Sequence, residues 1–156
     1  MTDPRGDPRT RIGPPPWLKE FNTDLLARQR DGTLPYALPV LVVAGRRSGR
    51  PRRTPLTVYE RGPERFVLGG FPAADWIRNV RAADGRAVLE AGGAAEAVRL
   101  VELPAADAER VLREWPQVSP DGVGMMRDAG VVPDTTPDAL AAAAGICPVF
   151  RVEGDA

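Results

Sequence analysis

The sequence predicts a mainly antiparallel α+β fold, a small closed or split β-barrel with peripheral helices, and three observations predict it. Short apolar or alternating runs recur between residues 38 and 103, punctuated by Gly and Pro turns. Helical patterns interrupt these strands too seldom to make the βαβ repeats of a doubly wound sheet. A chain of 156 residues is long enough for one domain and short for two.

Residues 1–16 are polar, rich in Pro and Arg, and end in Pro14-Pro15-Pro16, so they read as a flexible arm without fixed structure. Residues 17–156 read as one domain. From Trp17 to Arg30 the residues Trp17, Leu18, Phe21, Leu25 and Leu26 share one helical face, which predicts an amphipathic helix packed on the domain's own sheet, stopped by Asp31-Gly32. Strands are predicted at Leu38 to Ala44, Thr54 to Glu60 and Arg65 to Gly70. A helix over Ala74 to Ala83 turns Trp76, Ile77 and Val80 inward and ends at Asp84-Gly85. Two further strands, Arg86 to Ala91 and Ala95 to Leu103, meet at Gly92-Gly93, a favoured two-residue hairpin turn. A second amphipathic helix runs from Pro104 to Trp115. Pro116 to Thr136 carries three prolines and several glycines, and reads as a long irregular loop of the lid-forming kind. A short helix over Pro137 to Ala144 and a strand from Cys147 to Val152 complete about six strands.

Composition excludes several chemistries. With no histidine and a single cysteine, Cys147, neither a metal site nor a Ser-His-Asp or Cys-His centre is expected, and no disulfide framework is available. No apolar run approaches the ~20 residues of a membrane helix, and MTDPRGDPRTRIGPPP lacks the apolar core of a signal peptide. The expected location is the cytoplasm, with no integral membrane segment. Of 21 basic residues only Lys19 is a lysine, a bias that looks genomic, so arginine identity says less than arginine clustering.

The clustering is at Leu38 to Tyr59, where Arg46, Arg47, Arg50, Arg52 and Arg53 stand without an acid in a chain of net charge zero. Gly45 and Gly49 let the backbone bend, exposed N–H groups can form an anion nest, and guanidinium forks bind phosphate or carboxylate. The spacing is not that of a Walker A loop. Nucleic acid is disfavoured as a partner by the zero net charge, the pI near 6.3 and the lack of aromatic residues among the arginines. A small anionic ligand and an exposed hairpin tip both stay open. Beyond it, Gly69-Gly70-Phe71 and Asp75-Trp76 place paired glycines beside a helix N-terminus, an arrangement suited to a flat ring with anionic atoms, while Trp76 also suits a core position.

These residues resemble the deazaflavin (F420)-dependent nitroreductase family, split β-barrel proteins related to the FMN-binding pyridoxamine-phosphate-oxidase-like proteins. The resemblance rests on LVVAGRRSGRPRRTPLTVY, the strand ending Val67-Leu68-Gly69-Gly70, DWIRNVRAADGRAVLEAGG and Pro148-Val149-Phe150-Arg151-Val152, and spans most of residues 36–152. It implies that Arg46, Arg47, Ser48 and Arg52 contact the phosphate and oligoglutamate of coenzyme F420, with Thr54 and Pro55 nearer the ring. Gly69, Gly70, Phe71, Asp75 and Trp76 would surround the ring and its linker. Many relatives carry a lysine in a longer loop after this strand; here Gly70-Phe71-Pro72 passes straight to Asp75-Trp76, and Arg50, Arg53 and Arg78 are the cations left to take its part.

The activity implied is an F420H2-dependent reductase that passes a hydride from the reduced deazaflavin to a quinone, enone or nitroaromatic-type acceptor. Phe21, Tyr59, Phe71, Met125 and Met126 are the candidate pocket walls, and Tyr59 or solvent the proton source. The shortened loop motivates the alternative, a redox-inactive barrel that binds a small molecule or serves as an isomerase or cyclase; FMN is the alternative cofactor. A homodimer is compatible with all of these.

Overall fold

The computed structural model describes residues 6–155. Seven strands, β1 (Val40–Ala44), β2 (Pro51–Pro55), β3 (Tyr59–Arg61), β4 (Glu64–Leu68), β5 (Arg86–Ala91), β6 (Ala94–Glu102) and β7 (Val149–Gly154), form one sheet in the order β2-β1-β5-β6-β7-β4-β3. Every neighbouring pair is antiparallel. The edge strands β2 and β3 are consecutive in the chain, separated only by Leu56, Thr57 and Val58. Four Cα–Cα steps from Pro55 to Tyr59 span at most about 14 Å. In a flat seven-stranded sheet the edges would lie about 29 Å apart. The sheet therefore curls into the expected split barrel, and its seam lies between β2 and β3.

Alternation along the strands sends successive side chains to two cores. Val67 and Phe150 point inward with Leu41, Val43, Leu89, Val98, Leu100 and Val152, where α2 (Asp75–Ala82) adds Ile77 and Val80. Their neighbours Phe66 and Val149 face the other way, onto α3 (Ala105–Val118), α4 (Pro120–Asp128) and α5 (Pro137–Ala141), which supply Leu112, Trp115, Val123, Met126 and Leu140. Phe71 packs against both clusters. Each fully buried aliphatic or aromatic side chain contributes about 1.5–3 kcal/mol.

Four features depart from the sequence reading. The single strand expected over Thr54 to Glu60 is two, β2 and β3, so there are seven strands rather than six and Arg52 and Arg53 belong to a strand. Pro51 and Pro55 are compatible with β2 because it is an edge, where a missing N–H costs no ladder bond. The loop expected over Pro116 to Thr136 is largely helical: α3 runs on through Pro116 to Val118, and α4 starts with Pro120 in its first turn. Gly122 and Gly124 disfavour that helix by about 1 kcal/mol each, and burial of Val123 and Met126 at i, i+3 spacing outweighs them.

The helix expected at Trp17 to Arg30 forms as α1 (Leu18–Arg30) and touches β2, yet none of its residues is buried, and Trp17 and Phe21 meet edge to face in the open with ring centroids 5.9 Å apart. In the segment expected to lack fixed structure, residues 1–5 lie outside the described residues. Pro8–Arg11 forms a 3-10 turn capped by Asp7, and Ile12 packs on the α3–α4–α5 cluster while its carbonyl accepts the Ala73 N–H at 2.9 Å.

Two glycine turns make the β5–β6 part of the sheet. Gly92 and Gly93 both have positive φ, 59° and 81°, as the two-residue turn joining Ala91 to Ala94 requires. Gly85, at φ 82°, would carry a Cβ 2.4 Å from the Leu100 carbonyl oxygen, whereas a Cβ on Gly92 would meet nothing within 4 Å. Gly92→Ala should thus cost about 1 kcal/mol, the left-handed penalty alone, and Gly85→Ala about 3 kcal/mol because the clash adds to it. Urea midpoints of the two variants measure the difference, and equal midpoints would refute it.

Candidate functional site

The arginine loop is a tight closure between β1 and β2. Beyond the last ladder pair, Ala44 with Pro51, the Gly45 N–H donates to Arg50 O at 2.7 Å, Gly49 N–H to Gly45 O at 2.8 Å and Arg50 N–H to Ser48 Oγ at 3.2 Å. A Cβ on Gly45 would lie 3.0 Å from Ser48 Oγ and 3.5 Å from Arg52 Nε, so the loop folds back over this glycine.

The structure divides the five arginines. Arg53 is paired with Glu90 across β1. Arg46 turns toward α2: its backbone N–H and its Nη1 both donate to Asn79 Oδ1, at 3.1 and 2.9 Å, and its Nη2 lies 3.2 Å from Asp75 Oδ1. Arg47, Arg50 and Arg52 are exposed and, among the described residues, form no ion pair, which leaves three guanidinium groups for an external anion. Arg78 on α2 is likewise exposed and unpaired among the described residues. Asn79 was not singled out from sequence. Its signal is a polar residue on the helical face shared by Trp76 and Val80, and at 4% exposure it is buried in the core.

The second stretch, Gly69 to Trp76, leads into the N-terminus of α2, where Asp75 meets Arg46. The space where side chains on the two glycines would stand is filled by the chain itself: a Cβ on Gly69 would lie 2.6 Å from Ile77 Cδ1 and 2.9 Å from Pro148 Cγ, and one on Gly70 3.0 Å from Met126 Sδ. Their smallness serves close packing of β4 on α2 and α4. Asp75 opens α2 and is exposed; Trp76 is half-buried against Phe150, ring centroids 5.9 Å apart. Thr54 and Pro55 sit half-buried on β2, opposite Leu41 and Val40.

Of the five residues read as pocket walls, Tyr59, Phe71 and Met126 come together on one cluster, and Phe21 and Met125 lie apart from it. Met126 is buried in the α3–α4–α5 cluster, and Tyr59 and Phe71 pack on it. Met125 lines an open cleft of about 430 Å³ beside Pro116 and Thr135, and Phe21 stands with Trp17 on α1. A larger open cleft, about 670 Å³, lies between Leu34–Leu38 and the β5–β6 turn. Neither cleft is lined by the hairpin arginines, which present an exposed surface.

The Tyr59 hydroxyl donates to Glu114 Oε2 at 2.6 Å, and Arg61 Nε donates to Glu114 Oε1 at 2.8 Å. That hydrogen bond to Glu114 holds the phenol's pKa above its usual value, and the same bond, helped by Arg61, holds the Glu114 carboxyl below the usual carboxylate range. Tyr59 is therefore a weaker acid than a free phenol, with its proton committed to Glu114.

The family model described as F420H(2)-dependent quinone reductase matches residues 22–130. Among solved structures, the chain is similar to an F420-H2 dependent reductase (FDR-A) at 20% identity and TM-score 0.52, over 74% of this chain and 93% of that one. It is also similar to a protein described as a domain-swapped dimer, at 24% identity and TM-score 0.53, over 88% of this chain and 97% of that one. At such identities the likeness is one of fold. No curated protein matches the chain.

Burial pushes the Cys147 thiol up to about 12 from an ordinary 9.0, beside the Gly70 carbonyl. The folded state keeps this proton after the unfolded chain has lost it, so the contribution is intact below pH 9 and is lost as pH rises toward 12. Stability should fall across that window with the slope of one proton, and Cys147→Ala should remove that slope in urea titrations. The folded protein should also resist thiol alkylation at pH 8, and rapid modification would contradict the burial.

Proposed function

The chain belongs to the F420H(2)-dependent quinone reductase family, whose model covers residues 22–130, and from that premise we propose that its arginine hairpin holds the acidic tail of F420 while a quinone-type acceptor is reduced at the adjoining α2 end. The chain is thus an F420H2-dependent oxidoreductase with F420 as its cofactor. The observation that carries the placement is the set of three guanidinium groups, on Arg47, Arg50 and Arg52, left without a partner among the described residues on a hairpin whose other two arginines are tied down.

The donor set fits a polyanion. Guanidinium forks bind phosphate and carboxylate bidentately, and Ser48 lies between Arg47 and Arg50 with its hydroxyl in the loop closure. Thr54 and Pro55 on β2, with Phe71, Asp75 and Trp76 at the start of α2, are the residues we assign to the ring end. Gly69 and Gly70 contribute there by letting Ile77, Pro148 and Met126 pack close behind the loop. Reduced F420, when bound, supplies a hydride to the acceptor. The protein's own work is to hold the tail, orient the ring and exclude water from one face. With the Tyr59 proton committed to Glu114, solvent is the proton source for the reduced acceptor.

A quinone is the favoured acceptor class, with enones and nitroaromatics as substitutes of similar electron demand. Titration with oxidised F420 should show binding by the wild type and a loss of about 100-fold in Arg47→Ala/Arg52→Ala, from two charge-assisted contacts of ~1.5 kcal/mol each. Failure of the folded wild type to bind F420 would sink the assignment, as would tighter binding of FMN. Loss of reduced-deazaflavin absorbance on adding a soluble benzoquinone, an enone or a nitroaromatic then ranks the acceptors, and we expect the quinone to be fastest.

A homodimer belongs to the same proposal. The exposed pair Trp17 and Phe21 on α1, a helix that buries none of its residues within the chain, is the surface we assign to it, and a protein of similar fold is a domain-swapped dimer. Light scattering should return twice the 16.8 kDa chain mass, falling to the monomer in Trp17→Ser/Phe21→Ser; a monomeric wild type would refute it.

A further inference from the structure

We infer that Arg46 and Asn79 form a latch that sets the direction in which the hairpin presents Arg47, Ser48, Arg50 and Arg52, so that Asn79 is a positioning residue acting through Arg46. The inference rests on reading this hairpin as the cradle of the F420 tail.

Asn79 projects from α2, whose Ile77 and Val80 are fixed in the barrel interior. A buried amide oxygen without donors costs about 1–3 kcal/mol, and here Oδ1 takes two donors from one residue, the main-chain N–H and Nη1 of Arg46. One oxygen thereby fixes both the backbone at the first arginine of the loop and the guanidinium that follows it. Asp75, one turn earlier on α2, takes the remaining face of the same guanidinium at 3.2 Å. Asp75 is 80% exposed, so that ion pair adds little by itself; the Arg46 side chain, at 23%, is far more enclosed.

The consequence is a division of labour. Beyond Arg46, the described hydrogen bonds of the loop are internal to it: Gly45 to Arg50, Gly49 to Gly45, and Arg50 to Ser48. These fix the shape of the loop. Its orientation relative to α2, where the ring end of the site lies, depends on the Asn79 oxygen. An ordered cradle binds more tightly because the cost of immobilising its side chains is met before the ligand arrives. Arg46 is then a poor choice for direct contact with the tail, since both ends of its fork are already engaged.

The test compares wild type with Asn79→Ala, Arg46→Gln and the double variant. The first readout is hydrogen exchange of amides 45–50 in the protein without ligand. The second is affinity, by fluorescence quenching, for F420 and for the deazaflavin chromophore lacking phosphate and glutamates. Asn79→Ala, which removes both bonds, should speed exchange at Arg46 and its neighbours at least tenfold, and Arg46→Gln, which keeps the main-chain bond, by a smaller factor, while β5 amides stay unchanged. Each should weaken F420 binding, Asn79→Ala about tenfold and Arg46→Gln less, and leave the tail-less chromophore as it was, and the double variant should match Asn79→Ala.

Unchanged exchange in the loop would overturn the latch. So would an Asn79→Ala protein that binds F420 like wild type while Arg46→Gln does not, because Arg46 would then be a direct ligand. If wild type fails to bind F420, the assignment of the hairpin to the tail falls, and the exchange measurement still decides the latch. If Asn79→Ala does not fold, exchange in Arg46→Gln decides it alone: a direct ligand leaves the unliganded loop unaltered.

Discussion

Three residues carry the chain from one edge of a seven-stranded sheet to the other, and most of the molecule follows from that constraint. Leu56, Thr57 and Val58 join β2 to β3, so the sheet has to curl until its edges nearly meet. The link is anchored as well as short. The Leu56 N–H donates to Pro39 O at 3.1 Å, and Leu56 and Val58 pack on the barrel core. Once the sheet is curled, α2 closes its interior with Ile77 and Val80, and the three C-terminal helices cover the outer side of β4 and β7.

The same curl positions charge. β2, an edge strand, carries Arg52 and Arg53, and the β1–β2 loop carries Arg46, Arg47 and Arg50. Each arginine's fate is set by what the fold brings near it: Glu90 on β5 for Arg53, Asn79 and Asp75 on α2 for Arg46. What is left over is three exposed arginines within six positions of one hairpin. A chain of zero net charge can still present a strongly positive patch if its acids are spent elsewhere, and here they are: Arg61, Arg65, Arg81, Arg99, Arg113 and Arg151 each pair with a carboxylate away from the hairpin. Such exposed pairs add little stability singly, but they confine unbalanced positive charge to a few places, the hairpin among them.

Glycine at 69 and 70 illustrates how one residue type supports two explanations from sequence. A flat ring against bare backbone and a neighbouring side chain against bare backbone require the same absence of a Cβ. Ile77, Pro148 and Met126 occupy those positions, so close packing accounts for the missing side chains. Tyr59 shows the corresponding ambiguity for a polar group, since a phenol on a strand end reads as a proton donor until Glu114 is seen 2.6 Å from its oxygen.

Local pattern was enough for strands and turns whose partners are close in sequence. Arg86 to Ala91, the Gly92-Gly93 turn and the Asp84-Gly85 stop were all legible because hairpin geometry and positive φ leave a residue-level mark. The arginine cluster was legible for a similar reason, as five like charges within eight positions. α4 was not, because Gly122 and Gly124 disfavour a helix locally and only burial of Val123 and Met126 against other elements offsets them. Nor was the solvent exposure of α1, whose apolar face matched a packed helix in sequence but has no buried residue within the chain. The sequence by itself determined that strands would pair antiparallel and that positive charge would gather at one hairpin, since both depend on neighbours in the chain. Only the tertiary structure decided which of those arginines is free, because Asn79 and Asp75 lie 33 and 29 positions from Arg46, and Glu90 lies 37 from Arg53.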